Sequence, residues 1–283
     1  MTVEREEPVL FSCGDDTLVG ILHRPVKPAG NTGVLLVVGG PQYRVGSHRQ
    51  FVLLARDLAA QGIPVFRFDC RGMGDSTGDV RTFERINRDI ATATDLYCAK
   101  VPDLKGIVLW GLCDAATANA LYATSDRRIV GQVMLNPWVR TNESEARALM
   151  KHYYPSRALS GSFWRSVISQ RYGLLRIARD FAVNLTQSLG INRGGDDPGH
   201  LLPGRLCEAQ LGYTGHTLII VSGKDLTAKE YLLSMRQRPE WERWINSTKV
   251  EFLELEDADH TFSRAVWRNK VSEWTHDWIQ ERF

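Results

Sequence analysis

Three side chains able to share a nucleophilic reaction each stand just past an apolar run. Cys113 follows GIVLWGL (106–112), Asp225 follows HTLIIVSG (216–223), and His260 follows KVEFLELE (249–256). A free thiol ionises near pH ~8.5, so little of it is thiolate at neutral pH unless a base takes its proton. An imidazole can take that proton, then pass it to a leaving group or activate water. A carboxylate on the other ring nitrogen fixes the tautomer and the ring's orientation. Asp257 and Asp259 are rival acids, but they lie so near His260 in sequence that correct ring geometry is harder to arrange.

Each group alone has a plainer reading. A cysteine in an apolar stretch is most often a small hydrophobe, and a His beside two Asp residues is most often on the surface. Their joint placement favours chemistry. In Gly111-Leu112-Cys113-Asp114-Ala115, small residues flank the thiol, as a sharp strand-to-helix turn requires. The following helix would aim its partly positive N-terminus at the sulfur. An attacked carbonyl becomes negative at oxygen and needs donors. One is the backbone N–H of Asp114, and a second comes from Gly39-Gly40-Pro41-Gln42. Pro41 has no N–H, which selects Gly40. Beside that loop, Gln42, Arg44 and His48 could contact a charged or sugar-like group, although capping of the next helix explains them equally well. Tyr153 in HYY (152–154) and Trp164 in FW (163–164) could line an acyl or sugar-stacking pocket, or simply pack locally.

These residues need a scaffold, and the patterning supplies one. Apolar runs at 33–40, 63–70, 106–112, 129–138, 216–223 and 249–256 alternate with helical stretches at 48–62, 82–100, 115–125, 228–246 and 263–283. Fully apolar strands between helices mean a mostly parallel central sheet with helices on both faces. PVLFSC and TLVGILHRP read as an antiparallel pair at one edge. From 141 to 212 no strand is convincing, and the stretch reads as a helical cap insertion with a loop near 192–204. The core is then 1–140 and 213–283. Ligands of such sheets sit at the carboxyl ends of strands, where the insertion could act as a lid.

The bulk numbers exclude several classes. Thirty-five basic and 33 acidic side chains give a net charge of +2, which suggests neither nucleic acid nor an anionic membrane as partner. The pairs Arg67/Arg71 and Arg140/Arg147 read mostly as solvated. Five separated cysteines without ligand spacing argue against a disulfide framework and a zinc site. No cofactor and no metal are expected. The acidic start lacks a signal-peptide core, no run approaches a membrane span, and a reducing cytoplasm fits best.

FDCRGMGDSTG (68–78) resembles the D-x-R-G-x-G-x-S segment of the α/β-hydrolase superfamily, with Asp69, Arg71, Gly72, Gly74 and Ser76 in the matching places. The order nucleophile, acid, base and the Cys-for-Ser variant of G-x-S-x-G agree with it. More narrowly, the stretch from GGPQYRVGS (39–47) through FDCRGMGDSTGD, with LWGLCDAA and LNPWVRT, resembles hydrolase 1 associated with the exosortase A system, which accompanies bacterial exopolysaccharide and PEP-CTERM loci. The resemblance implies an α/β-hydrolase fold, with a cysteine at the nucleophile position as in dienelactone hydrolases. Val38 departs from it, standing where the H-G-x-x motif has His. The expected activity is hydrolysis of an ester or thioester on a small acyl or sugar-linked substrate through an acyl-cysteine. The alternatives are an acyltransferase on a polysaccharide or lipid-linked precursor, and a non-catalytic ligand-binding protein.

Overall fold

A computed structural model of the chain describes residues 5–40, 42–139 and 202–283. The strands are β1 (Arg5–Cys13), β2 (Asp16–Arg24), β3 (Thr32–Leu36), β4 (Val65–Phe68), β5 (Gly106–Leu112), β6 (Ile129–Leu135), β7 (His216–Ser222) and β8 (Val250–Leu255). They form one sheet in the order β1-β2-β4-β3-β5-β6-β7-β8. β1 and β2 pair antiparallel at the edge, β2 joins β4 antiparallel, and every later pairing is parallel. Among the described residues the helices are α1 (Gln50–Ala60), α2 (Asn87–Lys100), α3 (Asp114–Ala123), α4 (Leu202–Gly212), α5 (Leu226–Arg236), α6 (Pro239–Ile245) and α7 (Ala265–Arg282).

The apolar strands are explained by burial on both faces. Along β3, Val34 and Leu36 pack with α1 and α7, while Leu35 packs with α2 and α3 on the other side. Successive side chains of a strand point to opposite faces, so a strand covered twice is largely apolar along its length. Farther along the sheet, Met134 and Ile219 meet Leu206 of α4 and Tyr231 of α5. This is the α/β-hydrolase fold.

Three sequence expectations need correction. The single helix over 228–246 is two, α5 and α6. The break has a simple cause: Pro239 opens α6 and holds the preceding Arg238 in extended backbone, at φ −118° and ψ 109°. Leu202–Gly204, expected in a loop, begin α4. Arg67 and Arg71 are not solvated but buried, at 4% and 6% exposure. Arg67 donates to Nε2 of buried His23 at 2.9 Å, and Arg71 makes a bidentate pair with Asp89. Burial of such charges is tolerable only with partners of this kind. The rest of the cap reading, with Arg140, Arg147, Tyr153 and Trp164, lies outside the described residues.

Candidate active site

Cys113 occupies the junction of β5 and α3 with backbone angles of φ 62° and ψ −124°. A non-glycine residue with positive φ is costly and persists only when its surroundings hold it. Here its N–H donates to Leu135 O on β6, and its carbonyl accepts from Ala116, Thr117 and Trp138 N–H groups. Gly111 is needed beneath this turn, because a Cβ there would stand 2.7 Å from the Asn119 side chain and 2.8 Å from Ala115 backbone.

His260 Nδ1 lies 2.8 Å from Asp225 Oδ2, and the Cys113 thiol is close enough to act on the same imidazole. Burial lowers the imidazole's pKa, but the Asp225 and Cys113 bonds and charges outweigh it, and the pKa rises to about 10. Asp225 is the N-cap of α5. Its carboxylate also accepts from the Thr227 and Ala228 N–H groups at 3.2 and 3.1 Å, so the helix start fixes the carboxylate that is bonded to the ring. The rival acids are engaged elsewhere. Asp257 is exposed and paired with Lys224, and Asp259 accepts from the Ser263 N–H and hydroxyl.

The Gly40 and Asp114 positions also meet, through a contact the sequence does not suggest. The Gly40 N–H donates to Asp114 Oδ2 at 2.7 Å, and Ala115 N–H donates to Oδ1 of the same carboxylate at 3.0 Å. Burial raises the Asp114 pKa against the lowering effect of these N–H groups.

The other candidates are dispersed. Arg44 is committed to Asp69 and Asp75 rather than free, and its backbone N–H also donates to Asp69 at 2.6 Å. Gln42 is half-buried, and its Oε1 has no hydrogen-bond partner among the described residues. His48 and Arg49 both adopt positive φ, of 54° and 60°, just before α1. The segment 68–78 serves as a brace. Asp69 is buried, and Gly74 leaves room for it, since a Cβ there would fall 2.3 Å from its oxygen.

Two positioning residues escape the sequence reading. Buried Asn136, at φ 43°, donates through Nδ2 to Ser222 Oγ and to the carbonyl of His260, and accepts from the Ser222 N–H. Ser222 Oγ donates in turn to Asp259 O. This cluster ties the His260 loop to the ends of β6 and β7. The only signal for it is an Asn straight after an apolar strand.

Two of the three perturbed histidines, His260 and His23, carry the largest shifts and set a pH dependence of stability, while burial lowers His216 in the same sense as His23. His260 keeps its proton to about pH 10 when folded but only to ~6.5 when unfolded, so its contribution is complete below ~6.5 and is lost as pH rises through about 10. Burial, aided by the Arg67 charge, lowers His23 to about 4. The unfolded chain therefore binds more protons there, and stability is lost as pH falls from ~6.5 toward 4. Melting temperature is expected to peak near pH ~6.5. His260→Ala should flatten the alkaline limb and keep the acid one; an unchanged alkaline limb would contradict the assignment.

Among the described residues no group of three His, Cys, Asp or Glu is arranged to hold a metal, and no helix is long and apolar enough to cross a membrane. A comparison with curated proteins gives no match. Among solved structures, the chain is similar to the Pyrococcus furiosus esterase Pf2001, with TM-score 0.66, 14% identity, and coverage of 99% of this chain and 93% of that one. It is also similar to Est1E from Butyrivibrio proteoclasticus, solved with ferulic acid, at TM-score 0.63, 15% identity and coverage of 97% and 98%. A dienelactone hydrolase from Anabaena variabilis aligns at TM-score 0.62 and 15% identity over 100% of both chains. At such identities the likeness speaks for the fold. Residues 33–180, just over half of the sequence, match the Hydrolase_4 family model, described as serine aminopeptidase, S33, and the chain belongs to that family.

Proposed function

We propose that the protein is an acyl hydrolase in which Cys113 attacks an ester or thioester carbonyl. The observation that carries this reading is the 2.8 Å bond from His260 to Asp225, with the Cys113 thiol acting on the same imidazole to raise its pKa. The proton shared by Cys113 and His260 rests on the imidazole, and the sulfur bonds to the acyl carbon. The imidazolium then protonates the departing alcohol or thiol as its bond to the acyl carbon breaks. Water, deprotonated by His260, attacks the acyl-cysteine, releases the acid and restores the thiol. Asp225 holds the ring in the orientation both transfers need.

The family's name carries serine, and this chain has Cys113 at the elbow. The similar esterases and the dienelactone hydrolase support an ester as substrate. The resemblance of 39–79 to the exosortase-associated hydrolases supports an acyl group on an exopolysaccharide-linked or lipid-linked precursor. The test is intact mass after brief exposure to p-nitrophenyl acetate, with wild type beside Cys113→Ala. One acetyl adduct mapping to Cys113, or turnover lost in the variant, is expected. Equal and negligible reaction in both would count against nucleophilic catalysis and favour a binding role.

A further inference from the structure

We propose that the Asp114 carboxylate is a built-in occupant of the pocket for the substrate's carbonyl oxygen, and that this makes Asp114 a specificity-determining residue. The inference rests on the reading of Cys113 as nucleophile. It goes beyond that reading in assigning the side chain, not the backbone, of Asp114 a role.

The geometry is direct. One oxygen of the carboxylate takes the Gly40 N–H at 2.7 Å, the donor that an attacked carbonyl would use. The other takes the Ala115 N–H at 3.0 Å, at the start of α3 beside Cys113. The carboxylate is packed onto the glycine turn itself, since a Cβ on Gly39 would lie 2.1 Å from Oδ1. The groups acting on it are the backbone N–H groups of Gly40, Ala115 and its own residue, and the charge of His260.

A carboxylate oxygen is the same kind of acceptor as the oxyanion of a tetrahedral intermediate. One N–H cannot serve both, and two negative oxygens in one pocket repel. For acylation the carboxylate must therefore swing away from Gly40 or be neutral. Either event costs free energy that slows the reaction of a small activated ester, which has few other contacts to offset it. A substrate whose remaining groups bind elsewhere on the protein can offset it. The site would thus discriminate against small esters and favour larger, well-anchored acyl donors.

Asp114→Asn keeps the shape and an acceptor for the Ala115 N–H while removing the charge. With p-nitrophenyl acetate under single-turnover conditions, acyl-Cys113 is expected to form about tenfold to a hundredfold faster in this variant than in wild type, the equivalent of one hydrogen bond to a charged group. In parallel, the Gly40 amide resonance is followed by NMR during acidification. His260 can move that signal in both proteins, so the difference between them isolates Asp114. A carboxyl-dependent shift in wild type, missing from Asp114→Asn, is expected. Equal or slower acylation in the variant overturns the specificity role, whatever the resonance does. A Gly40 signal that behaves identically in the two proteins overturns the occupancy. If neither protein forms an adduct, the Cys113 reading fails, and the resonance alone upholds or overturns Asp114 as occupant.

Discussion

Replacing His260 with Ala is expected to slow acylation of Cys113 by up to ~10⁴-fold while the fold survives. The imidazole is hydrogen-bonded to Asp225, and under the influence of Asp225 and Cys113 it holds its proton to about pH 10. Without it the thiol lacks a partner for its proton, and the leaving group lacks an acid. The variant should remain folded because Asp225 keeps its bonds to the Thr227 and Ala228 N–H groups, and Asn136 grips the loop through the His260 carbonyl rather than its ring. Single-turnover acylation beside a thermal melt checks both halves. An unchanged rate in a folded variant would point to a different base. In wild type, the acylation rate should fall as pH rises through about 10, where the imidazolium loses its proton.

Asp225→Asn should be milder, with a loss on the order of 10²-fold, because an orienting acid in such a triad contributes less than the base it orients. The amide can present its N–H₂ to Nδ1 and so favour the wrong tautomer, which leaves the ring poorly disposed toward the thiol. Asp257→Asn is the matching control. That carboxylate is exposed and its partner is Lys224, an arrangement that contributes little at a surface. Its acylation rate should stay close to wild type. A greater loss in Asp257→Asn than in Asp225→Asn would reverse the assignment of the acid.

Much of this architecture is legible in the chain because burial acts locally. A strand covered on both faces must be largely apolar, so the runs at 33–36, 106–112 and 218–221 announce a parallel core. The break at Pro239 is equally local, yet the flanking helical patterning masks it. Arg67 and Arg71 elude the sequence for a different reason. Charge alone implies solvent, whereas their burial depends on His23 and Asp89, which the fold brings from distant parts of the chain.

The same division holds at the site. Residue type and position after an apolar run are enough to single out Cys113, Asp225 and His260, because a strand's carboxyl end delivers its next residues to one edge of the sheet. Which acid meets His260 is not decided by sequence distance. Asp225 reaches the ring because α5 caps on it and the Asn136–Ser222 cluster holds the His260 loop against β6 and β7. The Asp114 carboxylate on the Gly40 N–H is of the same kind. It depends on two backbone turns 74 positions apart meeting within hydrogen-bond distance, a closeness that only the packed sheet creates.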